Sequence, residues 1–75
     1  MTEIEFEYNQ LTEPLKKHYA NTLLLYNTPI KQVFQFNIYL FDDTLLSVNR
    51  DTRKLVFHSN EDLAIDYCLD NRNLK

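Results

Sequence analysis

At 75 residues, 44% hydrophobic and 25% charged, the chain has the composition of one small folded domain and not of a disordered segment. Its net charge of −3 disfavours a protein built for non-specific phosphate binding. It has no glycine, where average usage would give about five, and this removes every glycine-rich phosphate cradle and dinucleotide fingerprint.

Residues 3–8, EIEFEY, alternate glutamate with Ile4, Phe6 and Tyr8, which reads as an edge strand with one charged face. Ile4, Tyr8, Leu11 and Leu15 also fit a helical spacing, but Pro14 argues against one unbroken helix. The strand is the preferred reading, followed by a fresh helix start at Thr12 with Pro14 in its first turn. That helix is expected to run to Asn27 on a stripe of Leu15, Tyr19, Leu23 and Tyr26, with Lys16 and Lys17 outside it and Pro29 beyond its end.

Residues 32–58 read as a three-stranded meander. If Phe34, Phe36, Ile38 and Leu40 point inward, pairing Leu40 with Leu46 keeps Leu46 and Val48 on the same face. Asp42-Asp43-Thr44 is then a three-residue loop, since a two-residue loop would invert every later side chain. The second hairpin closes through RDTR, residues 50–53, pairing Val48 with Leu55 and Leu46 with Phe57. The outer face then carries Tyr39, Phe41, Leu45 and Val56, with Ser47 and His58. Without glycine, positive-φ turn positions are expected to fall on Asn27, Asp43, Asn49, Asn60 or Asn71.

SNED, residues 59–62, has the caps and acids of a helix start, and the helix spans roughly 61–71. The predicted fold class is α+β. It is a three- or four-stranded antiparallel sheet in β-α-β-β-β-α order, with two helices packed on one face, forming a single domain over residues 1–75.

Two surfaces carry the functional expectations. On the last helix, Leu63, Ala64, Tyr67 and Cys68 make a core stripe, while Ile65 and Leu69 widen the apolar arc beyond what one sheet face covers. Asp62, Asp66 and Asp70 follow at four-residue spacing, although like charges so placed cost a few tenths of a kcal/mol per pair. Asp62, Ile65, Asp66, Leu69 and Asp70 are therefore the candidate partner surface, shaped for a protein with a basic surface. The competing reading packs Ile65 and Leu69 on the first helix and leaves the acids solvated. Tyr39, Phe41, Leu45 and Val56 are a second candidate surface, where aromatics beside hydrogen-bonding side chains resemble a base-stacking platform. The strand order and the absent glycine do not match the RNA recognition module.

Catalytic and metal-binding patterns are not found. His18 and His58 are 40 residues apart in sequence (58 − 18), Asp42-Asp43 is first a turn signal, and Cys68 falls in an apolar helical run where burial would raise its pKa. No cofactor and no enzymatic activity are expected. One cysteine without an internal partner suits a reducing cytoplasm, and no stretch approaches the ~18 apolar residues of a membrane span or forms a leader. The sequence points to a cytoplasmic protein–protein interaction module: an inhibitor, immunity-like or regulatory accessory protein. Its glycine-free, Asn- and Tyr-rich composition would suit a phage or mobile-element genome. The alternatives are a single-stranded nucleic-acid-binding module using the outer sheet face and a homo-oligomeric structural subunit, the simplest being a homodimer.

Overall fold

The computed structural model describes residues 3–41 and 43–72. Two helices, α1 (Glu3–Asn9) and α2 (Glu13–Tyr26), precede four strands, β1 (Lys31–Val33), β2 (Phe36–Phe41), β3 (Thr44–Asn49) and β4 (Leu55–His58), and α3 (Glu61–Asp70) closes the chain. The strands form one antiparallel sheet in the order β1-β2-β3-β4. The α+β class and the antiparallel sheet are as expected, and the element order within them differs.

Residues 3–8 are helical, not an edge strand. The strand pattern would put Phe6 on one face with Ile4 and Tyr8, yet Phe6 is exposed while Tyr8 is buried. The helical spacing wins because Tyr8 then reaches the core, where its ring lies 5.8 Å from Tyr19 and 5.3 Å from Phe57. Tyr8 packs in one cluster with Leu55 and Phe57, so α1 lies against the edge strand β4 without adding a strand to it. Pro14 does restart the helix, with Thr12 as N-cap. The buried stripe of α2 is rotated from the expected one: Ala20 and Leu23 face the sheet, while Leu15 and Tyr26 are exposed. Ala20 is fully buried in this stripe, although a spacing read from the large residues passes over it.

The sheet register is the main correction. Leu40 pairs with Leu45, Tyr39 with Leu46 and Asn37 with Val48. The connection from Phe41 to Thr44 therefore spans two residues, not the expected three; Asp42, part of that expected loop, lies outside the described residues. The inversion that a two-residue loop imposes is present. Tyr39 is 1% exposed and Leu40 is 51% exposed. This is tolerated because both faces of the sheet are covered. Tyr39, Leu46, Val48 and Leu55 pack with Tyr8, Ala20 and Leu23 beneath α1 and α2. On the other face, Phe36 and Ile38 pack with Ala64 and Cys68 of α3. The helices thus lie on opposite faces, two against one, and not together on one face. The β3–β4 register, Val48 with Leu55 and Leu46 with Phe57, is the expected one.

The fourth strand comes from a turn that no glycine announces. Val33 pairs with Phe36, so Phe34 and Gln35 form a two-residue hairpin loop. Phe34 takes φ 54° and its ring is exposed, although the sequence pattern put it in the core. A bulky side chain in the left-handed region is costly, on the order of 1–2 kcal/mol. Arg50 holds the turn in place. Its guanidinium donates to the carbonyls of Phe34 and Phe36 and, at 2.6 Å, to Asn37 Oδ1, and its backbone N–H donates to the Gln35 carbonyl. Arg72 stacks over the Phe34 ring at 5.3 Å, and Gln35 donates to the Asn71 carbonyl, tying the turn to the end of α3. Arg50→Ala should therefore destabilise the fold by about 1.5–3 kcal/mol, the range for hydrogen bonds from a charged donor. Urea unfolding of the two proteins measures it, and an unchanged midpoint would show that the turn holds without Arg50.

Arg53 is the second positive-φ residue, at 64°. It closes the β3–β4 turn, in which Asn49 Oδ1 accepts from the amides of Asp51 at 2.8 Å and Thr52 at 3.1 Å, and the Arg53 amide donates to the Asn49 carbonyl. Among the described residues, left-handed positions are found at Phe34 and Arg53 and at none of the expected asparagines; the φ of Asp43 depends on Asp42, which lies outside the described residues. Asn27 and Asn60 instead cap helices.

Candidate functional site

The asparagine cap decides how α3 begins. Asn60 Oδ1 accepts from the Leu63 amide at 2.9 Å, and Glu61 and Asp62 stand in the first turn, where acids suit the helix dipole. From there the phase of the helix follows from its two fully buried residues, Ala64 and Cys68, four apart and facing Phe36 and Ile38. Ile65 and Tyr67 flank them and are partly buried against the same cluster. The outward face is left to Asp62, Asp66 and Asp70, all exposed, with leucines on both borders: Leu63, 49% exposed, and Leu69, 39% exposed.

Of the five residues expected to form the partner surface, Asp62, Asp66, Leu69 and Asp70 share this face. Ile65 is turned toward the sheet. Leu63, which the sequence pattern assigns to the core stripe, takes its place because Ala64 and Cys68 centre the buried stripe and move Leu63 outside it. The acids have no ion-pair partner among the described residues, where the salt bridge present is Lys16–Glu13 at 3.5 Å.

The second expected surface does not exist as one face. Tyr39 is core, and Phe41 packs beside it with the rings 6.3 Å apart, both beneath the N-terminal helices. Leu45 lies on the opposite side with the α3 cluster. Val56 is on that side too, opposite Ser47 across the β3–β4 ladder and partly buried. The two-residue loop that inverts the register is the physical reason. Tyr39 OH accepts from Asn37 Nδ2 at 3.1 Å inside the core, so it presents no stacking platform.

One polar pair joins residues that the sequence left without partners. Ser47 Oγ and His58 Nε2 are 2.7 Å apart, and the Tyr67 ring lies 5.1 Å from the imidazole. Ser47 is buried, so its hydroxyl is packed away from any substrate. Burial lowers the His58 pKa from the ordinary 6.5, because the charged imidazolium is the poorly solvated form. The unfolded chain therefore binds this proton more readily than the folded one. Stability should be constant above the ordinary value and fall as pH drops through it toward the folded value. Thermal melts between about pH 7.5 and 5.5 should show this fall, and His58→Gln should flatten it; an unchanged slope in that variant would assign the effect to other groups. Burial likewise pushes the Cys68 thiol up, which makes it unreactive.

Among the described residues, no group of three or more His, Cys, Asp or Glu could hold a metal ion, and no helix is long and apolar enough to cross a membrane. No protein-family model, curated protein or solved structure matches the chain.

Proposed function

We propose that this chain is a small protein-interaction module, of the inhibitor, immunity-like or regulatory accessory kind, that contacts a basic surface of another protein through the outer face of α3. One observation carries the reading. Asp62, Asp66 and Asp70 have no ion-pair partner among the described residues and line one helix face bordered on both sides by exposed leucines, Leu63 and Leu69. An acidic stripe speeds and orients the approach of a basic partner, and the flanking leucines supply apolar area to bury once it docks. A two-fold homodimer through the same face is disfavoured, since it would bring the three acids of each copy together.

The test is capture of a partner from the source cell by the tagged wild-type protein and by the Asp62→Lys/Asp66→Lys double variant. The wild type should retain a partner that the double variant loses. Equal retention by both would remove α3 from the interface. Leu69→Glu adds a check on self-association: an unchanged sedimentation coefficient is expected, and a shift to a smaller species would reveal a dimer.

A further inference from the structure

A second charged surface lies on the α2 side of the sheet, where the start of α2 faces the β3–β4 turn. The cleft between them has a volume of about 470 Å³ and is bordered by Lys16 and Lys17 from the helix and by Arg53 and Lys54 from the turn, with Tyr8 behind. These are four of the eight Lys and Arg residues in a chain of net charge −3. Glu13 at the rim pairs with Lys16, and Lys17, Arg53 and Lys54 have no carboxylate partner among the described residues. A concavity focuses such a field more than a convex surface does.

Two further observations shape the ligand. The cleft continues along α2 into a second concavity of similar size that shares Lys17 and Arg53 and adds Asn21, Leu24 and Leu25. Leu25 is 75% exposed, so cations at one end give way to uncovered apolar surface at the other. Arg53, which lines both parts, is also the turn residue at φ 64°. Asparagine would adopt that conformation at lower cost. The arginine at this strained position puts a guanidinium into the groove.

We propose that this groove takes an acidic segment of another protein, with carboxylates on Lys17, Arg53 and Lys54 and an apolar side chain against Leu24 and Leu25. Carboxylates pair with guanidinium and ammonium groups, and the leucine end matches an apolar residue on the same segment. A single-stranded nucleic acid fits less well. The Tyr8 ring is packed against Tyr19 and Phe57 with the Lys16 ammonium 5.4 Å from its centroid, so it offers no open face for a base. The groove is separate from α3 and stands whether or not α3 is an interface.

Fluorescence anisotropy with defined probes tests the assignment: short labelled peptides alternating Glu and Leu, Glu and Ser, or Lys and Leu, and a labelled oligo-dT. The Glu/Leu peptide should bind at low salt, the Glu/Ser peptide more weakly and the Lys/Leu peptide not through this groove. Lys17→Glu/Lys54→Glu should weaken the Glu/Leu peptide by at least about tenfold, and Arg53→Asn, which keeps the turn, should weaken it less. Asp62→Lys/Asp66→Lys should leave that binding intact. Circular dichroism of each variant confirms that loss of binding is not loss of fold. The proposal is overturned if no acidic peptide binds at low salt. It is equally overturned if oligo-dT binds through the same cations more tightly than the peptides, or if those cations mediate self-association in sedimentation, with a second copy as the occupant.

Discussion

Tyr39→Ala should cost about 3–5 kcal/mol, while Leu40→Ala, one residue further along the same strand, should cost under about 1 kcal/mol. Tyr39 is buried among Leu46, Val48, Ala20 and Leu23, and its truncation opens a ring-sized cavity at the junction of sheet and N-terminal helices. Leu40 stands half in solvent, so removing its methyl groups takes away little burial. The margin of a domain this small is a few kcal/mol, so Tyr39→Ala should be largely unfolded at room temperature. Chemical denaturation of both variants measures the contrast. The reverse ranking would mean that the three-residue loop, with its opposite set of inward side chains, is the true one.

Asp62→Lys/Asp66→Lys should weaken partner binding by about a hundredfold or more, since two attractive contacts become repulsive and like charges across an interface cost several kcal/mol. Most of the loss at low salt should appear in the association rate, because exposed charges steer approach, and added salt should narrow the gap between wild type and variant. Leu69→Ser should act differently, through faster dissociation, because it removes buried apolar area and leaves the field intact. Neither change touches the core: Asp62 and Asp66 are exposed and Leu69 lies outside the Ala64–Cys68 stripe. Surface plasmon resonance on the captured partner separates the two rates. Equal kinetics for wild type and double variant would mean that the acids are only solvated.

Much of the fold was legible where one physical signal dominated. Pro14 fixed the start of α2, SNED fixed the start of α3, and the β3–β4 register followed from matching Leu46 and Val48 to Leu55 and Phe57. The first hairpin was not legible, and the reason is specific. Face matching works when one face is apolar and the other wet, but β2 carries Phe36 and Ile38 on one face and Tyr39 and Phe41 on the other, and helices cover both. Either register buries aromatics, so the pattern could not choose. The Phe34-Gln35 turn was hidden for another reason: the residue at positive φ is a phenylalanine held by Arg50, and no sequence rule places a turn there.

The candidate sites divide in the same way. The acidic stripe of α3 was readable because four-residue spacing sets a helix face whatever the tertiary context. Which apolar residues flank it was not, since that depends on the phase chosen by Ala64 and Cys68. The basic groove joins Lys16 and Lys17 to Arg53 and Lys54, which are more than thirty residues away in sequence (53 − 17 = 36). Only the packing of α2 beside the β3–β4 turn brings them together, and no local pattern announces it.

An amide chemical-shift map of the ¹⁵N-labelled protein titrated with its captured partner locates the contact surface residue by residue. Contact through the outer face of α3 predicts the largest shifts at Asp62, Leu63, Asp66, Leu69 and Asp70, with Ala20 and Leu46 on the far side of the sheet unmoved. Shifts confined to other elements, with α3 unperturbed, would contradict it.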